Sequence, residues 1–366
     1  MPSVWGRMLV GIATMAMLAA IVSGVVVHRR IFADFFTFRT WGAAPRAWLD
    51  GHNVLGVLAL PFHLIISYTG LVIFMFLYLP WGLDRFYDGD MAVFREAAFE
   101  DPVPAPPGAT APLVAIAPLI GAADGHTAGR IEVSNPNRSN SVVVVTASDS
   151  QHLSHARNRV VFEGTSGRIL DRDDDLGNAA AAFLALYGLH IARFADPVLR
   201  WLLFASGLAG SGMIASGLVL WTVKRRARLM AGGIAPRGLR LAEALNVAVI
   251  LGLIGAVAGF FLANRLLPLD WPDRADAEAK IFFAVWAFAL LHALLRSPAS
   301  GRRAWIEQSV TAGALCLALP LVNATTTDRS LATTLMAGDW PLAGFDLTAA
   351  AAGGMLLLLA ARLARR

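Results

Sequence analysis

Seven apolar blocks constrain this chain more than any other feature. They are Met8–Val27, Val54–Leu79, Leu199–Val223, Ala242–Leu262, Lys280–Leu295, Val310–Val322 and Phe345–Ala361. A helix needs about 20 apolar residues to cross a bilayer. Four of the blocks meet that length directly, and the seventh, Phe345–Ala361, comes close to it. The fifth and sixth are shorter, and polar ends such as Gln308 and Thr325 extend the sixth into the headgroup region. In hydrocarbon every backbone polar group must be paired internally, so blocks of this kind fold as helices. The expected fold class is therefore mainly α: a polytopic helical membrane protein with about seven spans and one small α+β extramembrane domain. Mean hydropathy is +0.57 and only 16% of the 366 residues are charged. Those values exclude a disordered chain and argue against a soluble enzyme.

The sequence carries 31 Lys and Arg against 26 Asp and Glu. That excess could suggest nucleic acid, but most arginines cluster at the ends of apolar blocks, where they orient a membrane protein. No nucleic-acid partner is expected, and the lipid bilayer is. With the N-terminus outside, sixteen Lys and Arg fall in short inner segments and five in short outer ones. The expected topology is N-terminus periplasmic, C-terminus cytoplasmic, in a bacterial inner membrane. Met8–Val27 lacks a small-residue cleavage site before His28, so it reads as a span rather than a cleaved signal.

About 110 residues of different composition separate the second and third spans. Asp101–Pro112 reads as a Pro/Ala linker and Pro112–Ala123 as a short helix. Arg130–Ser134, Ser141–Ser148 and Arg159–Glu163 read as strands, with Asn135-Pro136-Asn137 and Gly164–Gly167 as turns. Three regions result: 1–99 with two spans and a basic loop, 100–180 as a periplasmic module, and 181–366 with five spans. A homo-oligomer is compatible with this layout.

Chemistry is sparse. One cysteine, Cys316, excludes an internal disulfide and cysteine-held metal centres within one chain. No dinucleotide fingerprint stands in a βαβ pattern, so no NAD(P) or flavin module is expected. No catalytic residue can be named. The histidines stand out, because five of eight lie in or beside spans: His28, His52, His63, His190 and His292. An ionisable side chain in a span is a functional hypothesis by default. His52 and His63 are eleven residues apart, three turns plus about 20°, so they share a helix face about 16 Å apart along the axis. Two stacked b-type haems held by axial imidazoles need such an arrangement. The competing reading is interhelical hydrogen bonding or a place in the headgroup zone. It is favoured for His28, beside Arg29 and Arg30, and evenly balanced for His292. Ligation is favoured for His52 and His190 and, more narrowly, for His63. His152 and His155 read as solvated loop residues. Ser206-xxx-Gly210, Gly212-xxx-Ser216 and Gly255-xxx-Gly259 read as helix-packing pairs. Glu243 and Asn246 read as interfacial.

The stretches GRMLVGIATMAMLAAIVSGVVVHRRIFADFFTFRT, WLDGHNVLGVLALPFHLIISYTGLV, YGLHIARFADPVLRWLLFASGLAGSGMIASGLVLWTVKRR and FALLHALLR resemble the PepSY-associated transmembrane helix family. That family comprises iron-regulated bacterial inner-membrane proteins, ferric-siderophore reductases among them. The resemblance implies a PepSY-like fold for the module. It also implies a ferric-siderophore reductase activity: two haems b passing electrons outward to a periplasmic ferric siderophore, from a cytoplasmic reduced flavin carrier or quinol. Its axial histidines stand at span entrances, matching His190 in GLH and His52 in DGH. Family members usually begin with a further span and outer domain, whereas this sequence begins near VWGR. The expectation is thus a chain short at its N-terminus, whose axial partners come from another chain or from His28, His63 and His292. Two rival functions stay open: a membrane-anchored PepSY regulatory or binding protein without redox activity, and a siderophore or iron transport component.

Overall fold

A computed structural model describes residues 3–27, 44–99, 106–123, 128–148, 153, 159–172, 177–229, 235–296 and 301–365. Of the described residues, 76% are helical. Among the described residues, seven helices are long and apolar enough to cross a membrane: Val4–Val27, Leu49–Ile73, Pro197–Leu229, Arg237–Leu266, Arg274–Arg296, Gly301–Thr326 and Trp340–Arg365. Every expected apolar block thus lies within or largely within such a helix. Most extend further than the apolar run, because polar and basic ends continue the helical hydrogen bonding toward the headgroups. His28 lies outside the described residues, as do His126, His152, His155 and residues 101–105 of the expected linker.

The chain divides into two compact units, 1–42 with 50–213, and 43–49 with 214–366. In the first, α1 (Ser3–Val27) turns apolar side chains such as Trp5 and Val26 outward, as hydrocarbon solvent allows. Its Gly11 makes room for the Tyr78 ring, whose hydroxyl donates to the Arg7 carbonyl at 3.2 Å. The second span, α2 (Ala44–Ile73), holds Pro61 in its interior. Three short helices follow: α3 (Met75–Tyr78), α4 (Trp81–Tyr87) and α5 (Met91–Phe99). The span therefore ends before Leu79, where the expected block ended. Asp88 in the left-handed region closes α4.

The extramembrane module consists of α6 (Ile116–Ala122) and an antiparallel sheet of β1 (Ala128–Ser134), β2 (Val142–Ala147), β3 (Arg159–Glu163) and β4 (Ile169–Arg172), ordered β1-β2-β3-β4. Val143 pairs with Phe162 and Val145 with Val160. These four side chains pack with Leu119 and Ala123 from the helix side as a dry core. Asn135 and Asn137 take positive φ in the first turn and Gly167 in the last, as their residue types favour. The fourth strand is a departure from the three expected.

Another departure concerns His190. It does not stand at the entrance of the third span. It ends a separate helix, α7 (Asn178–Ile191), which stops at Ala192 with φ 53°. The span proper, α8 (Pro197–Leu229), begins after Asp196, whose carboxylate accepts from the Leu199 N–H at 2.8 Å. An Asp cap followed by Pro at the first helical position is what starts a new helix here.

The second unit packs α9 (Arg237–Val247), a π-helical segment (Ala248–Gly252), α10 (Leu253–Leu266), α11 (Arg274–Arg296), α12 (Gly301–Thr326), α13 (Leu331–Met336) and α14 (Trp340–Arg365). Gly313 of α12 and Gly353 of α14 oppose each other. A Cβ on Gly313 would stand 3.0 Å from the Gly353 carbonyl oxygen, and one on Gly353 2.8 Å from that of Gly313. At the start of the π segment the Ala248 carbonyl accepts from the Trp286 indole N–H at 3.0 Å. Asn246 is buried within the protein, donating to the Leu218 carbonyl at 3.1 Å, and Glu243 pairs with Arg226 at 2.8 Å. Fully buried Asp346 accepts from the Asn323 amide at 3.2 Å.

Candidate functional site

The face of α2 that carries His52 also carries His63, and seven residues on, Gly70. Eleven and then seven residues return to nearly the same helical angle, within about 20° each time. Two of the expected histidines meet other helices of the first unit along this face. His63 is 7% exposed, and its Nε2 lies 3.1 Å from the Ser206 carbonyl oxygen of α8. A carbonyl only accepts, so Nε2 carries the proton and Nδ1 the lone pair. The ring lies so close to Gly210 that a Cβ there would overlap it. The Ser206-xxx-Gly210 pair, expected to serve helix packing, thus seats an imidazole instead. Ser67, one turn beyond His63, buries an Oγ that has no hydrogen-bond partner among the described residues.

His190 reaches α2 from α7. Its Nδ1 is 3.1 Å from the Thr69 hydroxyl, and its ring rests on Gly70, with Cε1 3.0 Å from the place of a Cβ. The Thr69 hydroxyl donates its single proton to the Ile65 carbonyl at 2.7 Å. Its oxygen therefore accepts from His190 Nδ1–H, a tautomer assigned from the network. Nε2 keeps the lone pair. His190 meets α2 two turns, about 10 Å, beyond His63 along the axis. Thr69 carries no local signal of this contact, since threonine in a span ordinarily bonds only to its own helix.

His292 sits in the second unit, in a polar cluster. Its Nε2 is 2.8 Å from Glu307 Oε2, which Arg296 also approaches at 2.9 Å. The Gln308 amide donates to the Ala289 carbonyl at 2.6 Å and lies 3.3 Å from His292 Nδ1. Nδ1 accepts and Nε2–H donates, so both ring nitrogens are engaged. His52 is half-buried and has interactions of its own. Among the described residues no three His, Cys, Asp or Glu side chains converge on a point that would hold a bare metal ion.

Haem, unlike a bare ion, asks the protein for only one or two axial side chains, usually through one imidazole nitrogen while the other donates to a neighbour. His190 fits that requirement as it stands: Nδ1–H is held and Nε2 carries the lone pair. His63 fits after exchange of its Ser206 contact, since Nε2 is the nitrogen engaged there. His292 is held at both nitrogens. The candidate histidines among the described residues thus differ in how each ring is held.

Comparison with known proteins gives the family. The PepSY-associated TM region matches residues 1–224. An uncharacterized protein of Pseudomonas aeruginosa is 28% identical over 385 aligned residues, covering 96% of this chain and 89% of the relative. No solved structure matches. With more than half of its length matched, the chain belongs to the PepSY-associated transmembrane family.

Proposed function

We propose that this protein is a haem b membrane oxidoreductase that carries electrons across the bacterial inner membrane to a ferric siderophore or similar Fe(III) chelate in the periplasm. The observation that carries the reading is His190: an imidazole with Nδ1–H bonded to Thr69, Nε2 unprotonated and a glycine beneath the ring. A histidine needed only for packing would not require a fixed tautomer over a glycine. The His52–His63 stripe of α2 supplies the other ligands of this reading. Haem b, when bound, supplies the one-electron chemistry. The chain's own side chains present ring nitrogens, fix their tautomers and keep the path dry between apolar helices. Electrons enter on the cytoplasmic side from a reduced flavin carrier or quinol. The product is Fe(II), which hard oxygen ligands hold less tightly than Fe(III).

The test is reoxidation. Purified protein is reduced anaerobically with dithionite, freed of excess reductant, and mixed with a ferric trihydroxamate. The reading expects the reduced b-type α band to bleach as Fe(II) appears, trapped by a ferrous chelator. Protein whose band persists while the chelate stays ferric contradicts it.

A further inference from the structure

We infer that Thr69 is a positioning residue that fixes the tautomer of His190 and so sets the redox potential of the group that His190 holds. The inference rests on the haem reading above and goes beyond it, by giving one hydroxyl control of the potential.

Thr69 is 1% exposed on α2. Its hydroxyl proton has a destination, the Ile65 carbonyl at 2.7 Å, with the Ile66 carbonyl at 3.4 Å as a weaker second. A hydroxyl has one proton, so towards His190 only its lone pairs are available. The 3.1 Å contact to Nδ1 is then Nδ1–H donating to Oγ1. No other assignment satisfies both contacts with one hydroxyl proton. A neutral imidazole that donates through Nδ1–H is more basic at Nε2, because electron density lost from the N–H bond is shared round the ring. A more basic axial ligand stabilises the ferric over the ferrous state and lowers the potential.

Two further features fix the ring. Gly70, adjacent to Thr69, removes the Cβ that would hold the imidazole off the helix; Cε1 lies 3.0 Å from that position. On the other side, the backbone of His190 is one residue from the end of α7. There Ala192 takes φ 53° and its N–H donates to the Gly188 carbonyl at 2.8 Å. The side chain is thus held at its backbone by a helix terminus, at its face by a glycine and at Nδ1 by a hydroxyl. Removing the hydroxyl leaves the first two and the Ile66 backbone carbonyl, which also hydrogen-bonds the His190 ring, so the ligand can stay while its basicity changes.

The experiment compares Thr69→Val, which keeps the shape and loses the acceptor, with Thr69→Ser, which keeps the hydroxyl. The full chain is purified in detergent, haem per protein is measured, and the α band is followed through a potentiometric titration. In Thr69→Val the titration component belonging to His190 should move to a more positive potential, while Thr69→Ser should overlay the wild type. Loss of one haem equivalent in Thr69→Val with retention in Thr69→Ser is the same effect at its limit and supports the inference. Titrations of Thr69→Val that superimpose on a haem-loaded wild type overturn it and leave the haem reading standing. Equal shifts in both variants also overturn it, since then the packing and not the hydroxyl matters. A wild type free of haem overturns both.

Discussion

The imidazole of His190 rests on Gly70, with its Cε1 3.0 Å from where a Cβ would stand. His63 makes the tighter counterpart of this contact on Gly210, where a Cβ would overlap the ring. One helix, α2, thus contributes a histidine to one such seat and a glycine to the other. Gly210→Ala should push His63 off Ser206, at the cost of overpacking, about 1–3 kcal/mol. Gly70→Ala should be milder, because its contact is at the limit of tolerance. Thermal unfolding and haem per protein in the two variants measure this. Equal behaviour of both with the wild type would show that the rings do not use these seats.

The crossing of α12 and α14 depends on Gly313 and Gly353, each carbonyl standing where the other's Cβ would go. Because both obstructions are backbone, neither can turn aside. Gly353→Ala should destabilise the protein by about 1–3 kcal/mol. Neighbouring Gly354 meets nothing within 4 Å, so Gly354→Ala should be neutral or slightly stabilising, about 0.5–1 kcal/mol from helix propensity. Midpoints of thermal unfolding in detergent decide it. A Gly354→Ala variant that suffers as much as Gly353→Ala would contradict the crossing.

In the extramembrane module the Ser166 hydroxyl, and secondarily the Arg168 charge, hold the Glu163 carboxyl below its ordinary value. A depressed folded value means the contribution is present above the ordinary carboxylate range. It is lost as pH falls through the folded value. Ser166→Ala should raise the Glu163 titration, so that the Gly164–Gly167 turn loosens at higher pH than in the wild type. Hydrogen exchange of the Gly167 and Arg168 amides between pH 3 and 6, on the order of the carboxylate range, reports it. Coincident acid profiles for the two proteins would refute the assignment.

Much of the fold was legible because hydrocarbon leaves few options: seven apolar runs give seven helices. What escaped notice lacked a local signal. Strand β4 is four residues, Ile169–Arg172, at an edge, without alternation. Helix α7 merges into an apolar stretch, although Asp196-Pro197 does mark the restart. At the site, the eleven-residue spacing of His52 and His63 was readable from α2 alone. Thr69 was not, because its partner lies 121 residues away. Gly313 and Gly353 were missed for the same reason: forty residues apart, they form no small-xxx-small pair. Glu307 and Gln308, by contrast, were readable as polar residues in an apolar span, and they account for His292.

Charge asymmetry of sixteen to five predicts the orientation. A reporter after Arg366 should read cytoplasmic and one inserted beside Ser139 periplasmic. The Ser139 fusion reading cytoplasmic would reverse the direction of electron flow.

The most direct measurement is the dithionite-reduced minus oxidised spectrum of the purified full chain, beside those of His190→Ala, His52→Ala and His292→Ala. Paired imidazole ligation of two haems predicts b-type α and Soret bands in the wild type. About half the absorbance should be lost in His190→Ala and in His52→Ala, and none in His292→Ala, whose ring nitrogens are bonded to Glu307 and Gln308. A colourless wild type, or full haem in both His190→Ala and His52→Ala, would contradict the account.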